Sequence, residues 1–430
     1  MVKKAKKAFL NKTSTSELVK SRSYDLILSM SIHGLPSIFR TKRAFFKLMW
    51  LLLTLLFTSA CIYFSVNSIL DYLQYDTITS ITEMYEQESE FPTISICKGK
   101  SLPNSDFFPL NVIECTFNAI DCKTNYKNYF ETFTDHFYGN CYRFNSGKNF
   151  FNQKTTILKS SVPGNKFGLN LELTLTTPTS FNNELVVHLH NKSTPAYELY
   201  YEEHFIGSGV YNYFPIEKTI TKNLGPPYGN CANVDSFDLN RTIIEFIQKN
   251  GRSYTKRECY MLCGNLYYVE SSNCGCGFGL DLDQIDSRCF FTLNLTLKAC
   301  SQKFVESFLE VSNKCEKFCP VECETTTFKS NPYIRYVNNE HINKSETIQK
   351  KNFTSYDDFR LRFFSIIVYF RELKYTLNTQ DPKTQFFDAL SNFGGIMGVF
   401  IGTSFMSFFE FIELVLEIII TLIESSFNLY

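Results

Sequence analysis

The sequence lacks a net charge. Its 43 Lys and Arg are matched by 43 Asp and Glu over 430 residues. A nucleic-acid binder carries a basic excess to neutralise phosphates, so this balance argues against such a partner. Histidine is scarce, with six in the chain. No Gly-rich phosphate loop, Ser/His/Asp set or metal-ligand cluster stands out, so neither an enzyme nor a resident metal or cofactor is expected. Cysteine is nearly absent from both ends: of fifteen, fourteen fall between Cys97 and Cys323, and Cys61 stands apart. An even number confined to one segment is the pattern of paired disulfides in an oxidising compartment. Zinc is the rival use, but Cys259-x3-Cys263 and Cys274-x-Cys276 match metal-site spacing poorly. The glycosylation sequons Asn191, Asn240, Asn294, Asn343 and Asn352 share the cysteine-bearing half of the molecule; a sixth, at Asn11, does not.

The balanced total hides an asymmetry. Residues 1–47 carry eleven Lys and Arg against Glu17 and Asp25, and they abut the apolar run Leu48–Val66. That is a cytosolic tail by the positive-inside rule. No signal peptide is expected there, because the apolar run begins too deep and lacks a small-residue cleavage site. A second apolar run, from Asn392 to near Ile423, is about 31 residues, longer than a bilayer core needs. The expected plan is a cytosolic tail (1–46), a first transmembrane helix (47–68), an extracellular domain (69–390), a second transmembrane helix (391–423) and a short cytosolic tail (424–430). That plan places a two-pass protein in the plasma membrane with both termini inside. The last seven residues hold no Lys or Arg, so orientation rests on the N-terminal side.

The second run is more than an anchor. Gly395, Gly398 and Gly402 recur at i, i+3 and i+7, with Ser391 ahead of them on the same helical face. Glu410, Glu413 and Glu417 follow at the same spacing. On one continuous helix the two sets would point only about 65° apart. Small residues let helices approach an axis closely, and carboxylates within a span must face protein or water. The pattern reads as a pore-lining helix for cations; the bland alternative is ordinary helix packing with acids at the interface. Between the spans, Asp71–Thr79 and Glu90–Cys97 read as strands. Leu361–Phe370 and Arg371–Thr376 read as two more.

These pieces together resemble the degenerin, epithelial sodium channel and acid-sensing ion channel family. The matching residues occur in family order: His33-Gly34 ahead of the first span, Tyr72 and Tyr75 after it, Phe91-Pro-Thr-Ile-Ser-Ile-Cys97, the cysteine-rich block 231–323, and Ser391-Asn-Phe-Gly-Gly through Gly402-Thr403-Ser404 to Glu410. The resemblance implies an α+β membrane protein: two transmembrane helices flanking a large, disulfide-rich, β-rich extracellular domain of palm, thumb and reduced finger, assembled as a trimeric channel. It implies seven disulfides: Cys97–Cys141, Cys115–Cys122, Cys231–Cys323, Cys259–Cys319, Cys263–Cys315, Cys274–Cys300 and Cys276–Cys289. The count permits this pairing but does not select it. Cys97 and Cys115 are separated by 17 residues, fewer than in the acid-sensing relatives, so the finger is expected to be shortened.

The resemblance also assigns roles. Gly402, Thr403 and Ser404 match the family's selectivity filter, where the resemblance implies a break in the second span, with Ser391, Gly395, Gly398, Glu410 and Glu413 lining the pore. His33 and Gly34 match the gating motif before the first span. Tyr72 is expected to meet the loop Gly225-Pro-Pro-Tyr228, where relatives carry Trp at the position of Tyr228. The implied function is a sodium-selective, voltage-independent, amiloride-sensitive channel subunit, opened by a peptide or small ligand or constitutively active. Its permeant ion is sodium, and its partners are membrane lipid and related subunits in a homo- or heterotrimer. The alternative of another class is a non-conducting, two-span, disulfide-rich surface receptor or accessory subunit. An ATP-gated channel would need an extracellular basic cluster for phosphates, and no convincing one is present.

Overall fold

The computed structural model describes residues 24, 28, 34–98, 111–135, 138–175, 184–192, 203–232, 254–260, 262–263, 313, 315–316, 318–337 and 353–427. His33, Cys274, Cys276, Cys289, Cys300, Asn240, Asn294, Asn343 and Asn352 lie outside them. The chain forms two compact units, Met1–Ile78 with Pro382–Tyr430, and Thr79–Asp381.

The first unit is helical. Helix α1 (Leu35–Arg40) carries Pro36 in its first turn, which the fixed φ of proline suits. Helix α2 (Ala44–Leu73) is the one described helix long and apolar enough by itself to cross a membrane. Three of its hydroxyls are satisfied within the helix. Thr54, Thr58 and Ser59 donate to carbonyls four residues back, at 2.6, 2.6 and 2.7 Å, as a segment without water requires. The helix runs through Leu73, so the strand expected from Asp71 begins later, after a turn in which Tyr75 takes φ 54°. Helix α4 (Phe386–Ile401) opens on a capping box between Gln385 and Asp388. Helix α5 (Phe405–Phe427) follows. The pair Phe386–Ile401 and Met406–Ile420 is long and apolar enough to cross only when taken together, and it is bent by 71°. The run Asn392–Ile423 is therefore two helices, interrupted at the residues where the resemblance implies a break, and the 65° relation between glycines and glutamates, which holds for one continuous helix, does not apply.

The second unit is built on strands β1 (Thr77–Tyr85), β2 (Ser89–Glu90), β3 (Thr93–Lys98), β4 (Asn111–Phe117), β5 (Ile120–Asp121), β6 (Phe130–Asp135), β7 (Gly139–Phe144), β8 (Lys159–Ser160), β9 (Leu169–Thr174), β10 (Glu184–His190), β11 (His204–Gly207), β12 (Val210–Lys222), β13 (Cys231–Ala232), β14 (Val321–Glu322), β15 (Glu324–Ser330), β16 (Tyr333–Tyr336) and β17 (Phe363–Pro382). The larger sheet runs β15-β12-β17-β9-β4-β5, with β1 on β17 and β16 on β12. A second sheet runs β11-β10-β3-β7-β6. Their facing sides close over one core that includes Ile94, Ile96, Phe144, Leu171, Phe364 and Phe370. Phe91 sits edge-on to Phe117, Phe144 and Phe370 at 5.0, 6.3 and 5.9 Å, a geometry aromatic quadrupoles favour.

Two sequence readings change here. Glu90–Cys97 is split into β2 and β3 at Pro92, which has no N–H for the ladder. Arg371–Thr376 is no separate strand: β17 is continuous, and a bulge absorbs the extra residues, because Ile216 faces Phe370 while Lys218 faces Tyr375. Leu361 instead belongs to helix α3 (Tyr356–Arg362), which Ser355 caps by accepting from Asp358 N–H.

Candidate functional site

The break between α4 and α5 is built from its own residues. Gly402 ends α4 at φ 69°, ψ 22°, the left-handed conformation that glycine adopts without a steric penalty. Its N–H donates to Gly398 O at 3.1 Å, and the Thr403 hydroxyl donates to Met397 O at 3.3 Å. On the far side, Ser404 N–H donates to the buried Ser407 Oγ at 3.1 Å, and Ser407 N–H donates to Ser404 O at 3.0 Å. Residues Gly402, Thr403 and Ser404 are thus held outside both helices. The interruption sends Thr403 N–H to Met397 O and Ser404 N–H to Ser407 Oγ, away from Val399 O and Phe400 O, the carbonyls four residues back in the last turn of α4.

Gly34 lies in the same unit. It is buried, with φ 104°, and a Cβ there would stand 2.9 Å from Thr54 Oγ1. Both its conformation and its close approach to α2 therefore require glycine. A cavity of about 250 Å³ joins these parts, lined by Gly34, Trp50, Thr54, Phe57, Gly398 and Gly402 among others. Phe64 of α2 stacks on Phe400 of α4 at 5.4 Å. The sequence-predicted Gly34, Gly398 and Gly402 are brought together; Trp50 and Thr54 were not foreseen, and the only signal was a threonine in mid-span.

Along α4, Ser391 and Gly395 are exposed, and a Cβ added at Gly395 would meet nothing within 4 Å. Glu410, Glu413 and Glu417 lie on α5, with Glu413 exposed. At the other end of this unit Lys383 N–H donates to Asp76 O at 2.9 Å, and Lys383 Nζ meets Asp76 Oδ2 at 3.0 Å. Hydrogen bonding to Asp76 raises the Lys383 ammonium above its ordinary value. This tie between the segments following α2 and preceding α4 had no local sequence signal. Tyr72 packs against Tyr75, ring centroids 6.1 Å apart.

Tyr228 belongs to the second unit, in a turn closed by Gly229 N–H on Gly225 O at 3.1 Å. A Cβ at Gly229 would come within 2.3 Å of Leu224 O, so glycine is needed there. The loop is fixed at both ends. Leu224 N–H donates to Gln380 Oε1 on β17 at 3.1 Å, and Asn223 N–H donates to Cys323 O at 2.8 Å. Among the described residues five disulfides are formed: Cys97–Cys141, Cys115–Cys122, Cys231–Cys323, Cys259–Cys319 and Cys263–Cys315. Asn191 sits at the end of β10, half-buried.

Comparison with known proteins follows this geometry. The family described as amiloride-sensitive sodium channel matches residues 27–108 and 99–414. The epithelial sodium channel subunit alpha of Neoceratodus forsteri is 27% identical over 319 residues, which is 72% of this chain and 46% of that one. The Homo sapiens alpha subunit is 24% identical over 371 residues, 80% and 51% of the two chains. The beta subunit of Neoceratodus forsteri is 26% identical over 325 residues, 72% and 46%. The chain thus spans about half the length of the curated relatives it matches. A cryo-EM structure of a proton-activated chloride channel aligns at a TM-score of 0.36 and 8% identity, over 87% of this chain and 99% of that one. A likeness that slight bears on neither fold nor function.

Proposed function

The chain belongs to the amiloride-sensitive sodium channel family, and from that premise we propose that it is a subunit of a trimeric, sodium-selective, voltage-independent plasma-membrane channel sensitive to amiloride. The observation that carries this reading is the capped interruption at Gly402–Ser404, next to an exposed glycine face and the Gly34 cavity. Three copies meeting at the break would present last-turn carbonyls and the Thr403 and Ser404 hydroxyls to an ion, replacing part of its hydration shell. Irregular backbone is tolerated at membrane depth where it lines water or is buried in protein. Glu410 and Glu413 would raise the cation concentration at the inner mouth.

Gating follows the chain. The loop at Tyr228 is tied to the Cys231–Cys323 base of the thumb and to Gln380, and β17 ends two residues further on at Pro382. Movement of the thumb therefore has a covalent route into α4, and Tyr72 is its proposed contact on the first span. The opener is an extracellular ligand, or the channel is constitutively active.

The test is whole-cell recording from cells expressing this chain, alone and with a related subunit. An inward current that falls when external sodium is replaced by an impermeant organic cation is expected. Replacing Gly402 or Ser404 by a larger residue should change the sodium-to-potassium permeability ratio or abolish current while leaving surface expression. Absence of current in both settings, or unaltered reversal potentials in both variants, would sink the reading and leave a non-conducting receptor.

A further inference from the structure

The side of the larger sheet turned away from the shared core carries an ordered polar row. In register, Arg335 on β16 faces Tyr211 on β12, Tyr211 faces Ser365 on β17, Ser365 faces Glu172 on β9, and Glu172 faces Glu114 on β4. Directly paired residues of neighbouring strands share a face. The next row holds Tyr213, Ile367, Asn170 and Thr116 in the same order. A bulge between Val112 and Glu114 sets the second carboxylate opposite the first. The two facing carboxylates concentrate negative charge at one place on this side of the sheet.

Over these rows lies a cavity of about 370 Å³. That is the size of a small-molecule site and much more than one metal ion occupies. Its lining is dominated by acceptors: Glu114, Glu172, Tyr211, Tyr213, Ser365 and Asn170. Asn170 spends its amide nitrogen on Asn165 O at 3.0 Å, which leaves its oxygen as an acceptor. Ser365 is fully buried, and its Oγ has no hydrogen-bond partner. A buried hydroxyl left in that state carries a desolvation penalty unless something else bonds it. Tyr211 is pushed up to about 12, by burial first and then by the charge of Glu172, so its hydroxyl keeps its proton. Two resident cations share the field. Arg335 lies over the Tyr211 and Tyr213 rings at 4.9 and 5.9 Å, and the exposed Lys166 lines the cavity.

We propose that this cavity binds a small organic ammonium compound, its charge on Glu172 and Glu114, its donors on Ser365 and Tyr211, and its apolar part against Tyr213 and Ile367. Ammonium groups supply several donors to an acceptor-rich site, and aromatic walls favour a cation with an apolar body. Ser365 and Ile367 stand on β17, the strand that ends at Pro382 shortly before α4. That this makes the compound an extracellular modulator rests on the channel reading above; the binding itself does not.

The experiment is calorimetric titration of the full chain, purified in detergent, with phenethylammonium chloride and with the uncharged 2-phenylethanol. Saturable binding of the ammonium, about tenfold or more tighter than the alcohol, is expected from one charge-assisted hydrogen bond. Glu172→Gln should weaken it about ten- to hundredfold by the same rule. Ser365→Ala should weaken it about fivefold without lowering the melting temperature, since it deletes the orphaned hydroxyl. Should Glu172→Gln fail to fold, the Ser365→Ala result decides. No saturable binding, equal affinity for the alcohol, parental affinity in the variants, or Glu172-dependent uptake of calcium in place of the ammonium would each overturn the proposal. No current is needed for this measurement, so a failed channel reading and a failed binding site give separate results.

Discussion

His190 shows how one buried side chain sets a pH limit. Its Nε2 lies 2.7 Å from Ser95 Oγ and its Nδ1 lies 2.8 Å from Asn191 O. Burial, with smaller contributions from Arg143 and His188, lowers its pKa from 6.5 to about 3. The unfolded chain therefore takes up a proton below pH 6.5 that the folded chain refuses until about 3. This group's contribution to stability is complete above 6.5 and is lost progressively as pH falls through that window. The expected loss is about 2 kcal/mol between pH 7.5 and pH 5. Denaturant midpoints across that range should fall in the parent and stay nearly flat in His190→Gln. An unchanged slope in the variant would refute the assignment. Asp358 acts in a separate, more acid window. Hydrogen bonding to Arg362 lowers it to about 2, so its share disappears only below about pH 3.8.

At the scale of elements, α4 offers a separation of folding from gating. A Cβ at Gly395 meets nothing within 4 Å, and Ser391 is exposed, so this chain alone has room for added volume on that face. Bulk there should matter only where copies of α4 pack around a common axis. Ser391→Cys, modified from outside by a bulky thiol reagent, should hold the channel open and raise current while the melting temperature stays within about 1 kcal/mol equivalent of the parent. No rise in current on modification would count against α4 as the closing element. Much of this element was legible in advance, because glycine spacing is a local property. Its interruption was implied by resemblance alone: a periodicity count treats Asn392–Ile423 as one run, and only the left-handed Gly402 with the Ser404–Ser407 cap shows where it breaks. Strands were read with the right pattern but the wrong ends, since helix α2 outlasts its apolar run to Leu73 and a bulge lets β17 pass through Arg371–Lys374 without a turn. The Arg335-to-Glu114 row was invisible in the sequence, because five strands drawn from distant positions assemble it only once their register is set.

At the scale of the whole molecule, the arrangement of charge argues that acid is not the opener. Acid opening needs groups that titrate between about pH 5 and 7, most simply carboxylate pairs whose repulsion raises a pKa. Glu83 on β1 is the position where the resemblance suggests one such partner. It meets Lys374 at 3.2 Å instead, and Lys374 also takes Glu372 at 3.0 Å. Thr376, where the second carboxylate would stand, faces Thr219 on β12. His190 stays neutral until about 3, so it does not switch in that range within the folded unit. By the resemblance, Gln302 stands where the acid-sensing relatives carry one thumb carboxylate and Glu306 keeps the other; these two and the loop acids Asp281, Asp283 and Asp286 lie outside the described residues. Among the described strands, a facing carboxylate pair stands at Glu114 and Glu172, inside the proposed ammonium cavity. In the proposed site that pair holds the ammonium of the ligand. A fast step from neutral to about pH 5 on cells expressing this chain should evoke no large inward sodium current. A rapid, large sodium current at about pH 5 that disappears in Glu83→Gln or Glu172→Gln would reverse the conclusion and make one of those carboxylates the acid sensor.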